Sequence, residues 1–141
     1  KFHPFNPLAA LRMSLKEVSG DNQHQVIDAI FEGGWCRGED LGDLTTLVSL
    51  LEERAIDGNY FSQQIAEPKV KQLLMDETNM AIDLGVCGVP CMIVDDLLFW
   101  GNDQMEHIEL VLAGKDPLDK DKLDVLERPR GIDRKTFRKL D

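Results

Sequence analysis

The sequence is poor in the residues from which metal and redox centres are built. Only three cysteines and three histidines occur among 141 residues. Cys87 and Cys91 are separated by three residues, so they do not form the C-x-x-C pair of a redox site. With Cys36 the count is odd, which points to free thiols rather than a disulfide framework, each read as a small buried hydrophobe. None of His3, His24 and His107 stands at metal-ligand spacing to a cysteine, so no metal site is expected. No apolar run reaches the roughly 20 residues that span a bilayer, and no charged leader precedes an apolar stretch. No membrane association is therefore expected, and the free thiols suit a cytoplasmic protein. An excess of basic charge is also lacking. Sixteen Lys and Arg face 26 Asp and Glu, a net charge of -10, which argues against a nucleic-acid partner. The acidity is concentrated in residues 1–114, where 7 basic residues meet 19 acidic ones. Residues 115–141 hold 9 and 7 and read as a polar, mixed-charge tail. The start lacks methionine and reads as the middle of a longer protein or a trimmed form of one.

What is present is mostly helical periodicity. Asn6-Pro7 reads as a cap and first helical residue, followed by Leu8, Leu11, Leu15 and Val18 at helical spacing up to Gly20. Val26, Ile27, Ile30, Phe31 and Trp35 suggest a second helix that breaks between Gly33 and Gly38. Asp43 reads as the cap of a third, which carries Leu44, Leu47, Val48, Leu50 and Leu51. Asp57-Gly58-Asn59 reads as punctuation before a short helix through Phe61 and Ile65. Pro68 opens a longer helix with Val70, Leu73, Leu74, Ala81 and Leu84 on one stripe before Gly85.

The pattern then changes. Cys91 to Val94 and Leu97 to Trp100 are short apolar runs around Asp95-Asp96, and they predict a β-hairpin buried on both faces. The turn lacks the glycine that a type I′ loop prefers. Asn102 would cap a last helix through Met105, Ile108, Leu110, Val111 and Leu112, closed by Gly114. Two strands and one helix bury their own faces poorly, so a larger sheet is expected to complete them. No strands follow, which suggests that a β-α-β piece is absent from this chain.

Gly85-Val86-Cys87-Gly88-Val89-Pro90 links a helix to a strand. A proline that opens a strand cannot donate to the ladder. Were the Val89-Pro90 bond cis, Val89 would turn its N–H and C=O outward to pair with an extended peptide; the alternative is an ordinary trans turn. This segment, the hairpin, and Phe99-Trp100-Gly101-Asn102-Asp103 opening the last helix resemble the C-terminal half of the kappa-class glutathione transferase family. That family includes the bacterial 2-hydroxychromene-2-carboxylate isomerases and is related to the Dsb-type thiol oxidoreductases. Upstream, Phe5 to Arg12 resembles the start of the family's helical insertion, and Gly38 to Asp43 its Gly-x-Asp-Ile-Ser/Thr-Asp segment. Pro68 to Lys71 with Glu77-Thr78 resembles the helix leading to its cis-proline turn. Residues 2–114 share in the likeness.

The resemblance implies an α/β, thioredoxin-like fold with a large helical insertion at 1–66, the C-terminal half of the thioredoxin-like domain at 67–114, and a tail at 115–141. It implies glutathione as cofactor, its cysteinyl part held by the backbone of Val89 with Pro90 behind it. Asn102 and Asp103, with Gly101 and Trp100 beside them, would receive the γ-glutamyl end. Plain helix capping and core packing are the alternatives for these residues. Phe5 and Asn6 would face the substrate, a small aromatic carboxylate, although for Asn6 a simple N-cap is the preferred reading. Arg12 and Arg37 are cations that could meet such a carboxylate, and surface residues otherwise. The implied activity is isomerisation by thiol addition, rotation about the resulting single bond and thiol expulsion. Alternatives are a kappa-class transferase, a Dsb-type disulfide oxidoreductase or a non-catalytic relative. The family's catalytic serine matches no residue here, and Gln104 stands where the family usually has arginine. A homodimer is the family's common state.

Overall fold

The structure, a computed structural model, describes residues 2–118. Its contacts divide the chain into two compact units, the first ending at Gly85 and the second starting at Val86. The expected tail lies, from residue 119 onward, outside the described residues. None of the described helices is long and apolar enough to cross a membrane.

The first unit is helical. Asn6 Oδ1 accepts the Leu8 N–H at 3.1 Å, and helix α1, Leu8–Met13, starts there. The single helix expected as far as Gly20 is broken at Leu15, whose backbone is extended (φ -62°, ψ 137°). Polar side chains hold the break. Ser14 Oγ donates to the Ala10 carbonyl at 2.9 Å, and Gln23 Nε2 donates to the Ser14 carbonyl at 2.9 Å. Side chains that bond the backbone in this way compete with helix continuation. Helix α2, Lys16–Ser19, and a 3₁₀ turn, Gly20–Asn22, lead into α3, Gln23–Phe31.

Helix α3 ends in one π turn, Glu32–Cys36, closed by the Arg37 N–H on the Glu32 carbonyl at 3.0 Å. Gly33 and Gly34 in this turn lie against Leu50 and Leu41. Helix α4, Leu44–Glu52, is capped as expected: Asp43 Oδ1 accepts the Thr45 N–H at 3.0 Å. Helix α5, Gly58–Gln64, is capped by Asp57, which accepts the Tyr60 N–H at 2.9 Å. Gly58 and Asn59, expected as punctuation, are thus helical. A Cβ at Gly58 would stand 2.6 Å from the Val48 carbonyl oxygen, so glycine is what lets α5 rest on α4.

The core of this unit gathers Met13, Val26, Leu47, Leu50 and Leu51, each at most 1% exposed. Burying one such side chain contributes roughly 1.5–3 kcal/mol. Helix α6, Pro68–Asp83, begins with proline at its first turn and buries Val70 in this core. The expected apolar stripe is buried only at that end. Leu73, Leu74 and Ala81 are half-buried and Leu84 is exposed. Arg37 pairs with Glu53 at 2.8 Å and Glu39 at 3.3 Å, and Arg54 with Glu32 at 2.6 Å. These exposed pairs stabilise little.

The second unit holds β1, Cys91–Val94, antiparallel to β2, Leu97–Trp100, and helix α7, Met105–Leu112. The loop Asp95-Asp96 has both residues at positive φ (48° and 63°), the left-handed pair of a tight two-residue hairpin. Aspartate tolerates that conformation, so the turn forms without glycine. The pairing puts Met92 opposite Phe99 and Cys91 opposite Trp100. Only one face is covered, contrary to the expectation of burial on both. Phe99 is buried, its ring edge-on to His107 of α7 at 5.3 Å, whereas Ile93 and Trp100 on the other face are exposed. The thiols are also not uniformly buried: Cys36 and Cys87 are exposed, because one ends the π turn and the other lies in the irregular link before Pro90.

Candidate functional site

Six of the residues singled out from the sequence lie in the second unit, around the entry to β1 and the exit from β2. The Val89-Pro90 peptide bond is cis. Val89 is 88% exposed, and neither its N–H nor its C=O has a hydrogen-bond partner among the described residues. Pro90 turns its carbonyl inward and accepts the Gly101 N–H at 3.0 Å, which extends the hairpin ladder by one step. Val89 therefore stands where the ladder stops.

Trp100 leans across this end. Its indole lies over Gly88, where a Cβ would come within 2.8 Å of Nε1. The sequence signal for this approach is a glycine just ahead of a strand, where a neighbouring group can come close to the backbone. Gly101 then reverses the chain at φ 105°, ψ 150°, a conformation essentially confined to glycine. Asp103 Oδ1 occupies the space where a Gly101 side chain would begin.

Asn102–Gln104 form a 3₁₀ turn rather than the cap and first turn of an α-helix, and α7 follows at Met105. Asn102 does not cap the helix as expected, because it lies inside the 3₁₀ turn and its side chain makes no such hydrogen bond. Its amide and the N–H groups of Asn102 and Asp103 have no acceptor among the described residues. The Asp103 carboxylate accepts one hydrogen bond, from Gln104 Nε2 at 3.3 Å. This end of the unit thus combines an extended backbone with free donor and acceptor, an indole plate, two outward N–H groups and a carboxylate. Such a set can pair with a short peptide carrying both an ammonium and a carboxylate.

Phe5 and Asn6 belong to the first unit. Phe5 packs partly into its core, and Asn6 spends its carbonyl oxygen on the Leu8 N–H at the start of α1, its amide nitrogen having no partner among the described residues. Arg37, the other cation considered for a carboxylate, is already taken. The Glu53 carboxylate hydrogen-bonded to it, with help from Glu39 and Glu32, holds its pKa above the ordinary arginine value. Among the described residues, no group of three or more His, Cys, Asp and Glu could hold a metal ion.

Residues 6–113 match the profile of the DSBA-like thioredoxin domain, and the chain belongs to that family. Among characterised proteins it is similar to the 2-hydroxychromene-2-carboxylate isomerase of Sphingobium xenophagum, 28% identical over 92 residues, 65% of this chain and 47% of that protein. It is likewise similar to the proteins of that name from Pseudomonas sp. (strain C18), 31% over 90 residues, and Pseudomonas putida, 31% over 89 residues. These two alignments cover 62% of this chain each, and 42% and 43% of the relatives. The chain thus spans less than half the length of the relatives it matches. No solved structure gives a significant match.

Proposed function

We propose that this chain carries the glutathione-holding part of a glutathione-dependent isomerase of the 2-hydroxychromene-2-carboxylate type. The observation that carries the reading is Val89. It is an almost fully exposed residue whose N–H and C=O are unpaired among the described residues, one ladder step from a helix start whose N–H groups are likewise unpaired there and which offers a carboxylate. The names of the relatives supply the reaction.

The residues fit the tripeptide. Val89 would hold its cysteinyl backbone, as an added strand does. The N–H groups of Asn102 and Asp103 would receive the γ-glutamyl carboxylate, and the Asp103 carboxylate its ammonium. Trp100 would cover one side of the ligand and exclude water. When bound, glutathione supplies a nucleophilic thiolate. The reading extends to a homodimeric, cytoplasmic enzyme with a small aromatic carboxylate as substrate, in which Phe5 and Asn6 contact that substrate.

The test is calorimetric titration of glutathione into the chain and its Asp103→Ala variant. A charge-assisted pair lost at Asp103 should weaken binding about tenfold or more. Equal affinities would remove Asp103 from the site, and no binding by either protein would reject the reading.

A further inference from the structure

A second feature lies within the first unit, between α1 and α6. A cavity of about 360 Å³ opens there, walled by Leu8 and Leu11 of α1 and by Leu74 and Met75 of α6. Its volume falls in the range of small-molecule pockets. Two cations reach it, Arg12 from α1 and Lys71 from α6, and its lining contains no carboxylate.

Both cations lack a counter-charge. Neither makes an ion pair or a side-chain hydrogen bond among the described residues, in a stretch where acidic residues outnumber basic ones 19 to 7. Arg37 and Arg54, by contrast, are each paired with glutamate. The Nε of Arg12 is moreover buried and has no hydrogen-bond partner among the described residues. An unsatisfied donor of a guanidinium is costly, and an anion beside the same group would supply the counter-charge it lacks.

We infer that this cavity is a binding site for an aliphatic carboxylate, with the headgroup between Arg12 and Lys71 and the chain along Leu8, Leu11, Leu74 and Met75. The walls select the tail. Apart from the two cations and the neutral polar Thr78 and Asn79, they are leucine and methionine, flexible side chains that adapt to an alkyl chain, and they include no aromatic ring on which a flat ligand would stack. The cations select the head. None of these residues is among those assigned to glutathione, and the site stands or falls without that assignment.

Octanoate is the probe, titrated into the full chain by calorimetry, with amide chemical shifts followed by NMR. Octanoate should bind about tenfold more tightly than 1-octanol, which has the same tail without charge. Shifts should centre on Leu8, Leu11, Leu74 and Met75. Arg12→Met and Lys71→Met should each weaken octanoate about tenfold and leave 1-octanol unchanged. Met75→Trp, at a half-exposed position that tolerates the change, should fill the cavity and block both ligands. Equal binding of octanoate and 1-octanol would overturn the proposal. So would unchanged affinity in Arg12→Met, a preference for 1-naphthoate over octanoate, or no binding. Competition by glutathione would overturn the independence of the two sites.

Discussion

Replacing Gly101 by alanine tests how the end of the hairpin is built. At φ 105° and ψ 150° an L-residue is held where essentially only glycine is found, at a cost of about 1–3 kcal/mol. The added Cβ also meets Asp103 Oδ1, so the carboxylate, whose other oxygen accepts from Gln104 Nε2, must shift. The backbone cost alone lowers the population of the native turn by about 5- to 140-fold, at 1.4 kcal/mol per tenfold. Native-state hydrogen exchange reads this directly, because it reports local opening. Protection of the Gly101 amide, bonded to the Pro90 carbonyl, should fall by that factor, while amides of α4 in the other unit keep theirs. Adding Asp103→Ala to Gly101→Ala should recover the steric share, a coupling of about 0.5 kcal/mol or more. Gly114→Ala is the control: its φ is also positive, at 66°, but nothing lies within 4 Å of the new Cβ, so no coupling to Asp103 is expected. Unchanged protection in Gly101→Ala would refute the account of this turn.

Gly58→Ala should destabilise the first unit by about 1–3 kcal/mol, because the new methyl overlaps the Val48 backbone and α5 must lift from α4; a urea midpoint equal to that of the parent would contradict this. Asp43 gives a pH dependence. The Thr45 hydroxyl, and then the Thr45 N–H, hold its pKa below the ordinary carboxylate value. The lowered value means the folded state favours the carboxylate, so the contribution is complete above the unfolded pKa and fades as pH falls through the folded one. Thermal midpoints should therefore decline less steeply in acid for Asp43→Asn, which still caps but does not titrate. Identical acid slopes would show that the carboxylate contributes nothing.

The sequence displayed the caps and the hairpin clearly because those features are local. Asp43 before an apolar run, Pro68 at a helix start and two apolar runs around Asp95-Asp96 each specify their geometry within a few residues. The break at Leu15 was hidden, since it depends on Gln23 reaching back nine residues to the Ser14 carbonyl. Gly58 misled for a similar reason. A glycine beside Asp57 resembles a turn, and only the approach of Val48 from another helix explains its place inside one. At the candidate site, the motif placed Val89, Pro90 and Gly101 near one another, and the ladder contact from Gly101 to Pro90 shows how. Motif spacing did not reveal that Asn102 is free of capping, because that follows from a 3₁₀ turn the periodicity cannot resolve.

The two aspartates at the hairpin tip reach further than the tip. A two-residue loop admits one register, and that register makes Cys91 face Trp100 and Pro90 face Gly101. A slip of one residue would turn Phe99 away from His107 and carry Trp100 off Gly88. The alignment of the exposed Val89 peptide with the start of the last helix is thus timed from the opposite end of the strands. Asp95 and Asp96 act on the site as a gauge acts on a joint, by setting length rather than by touching it.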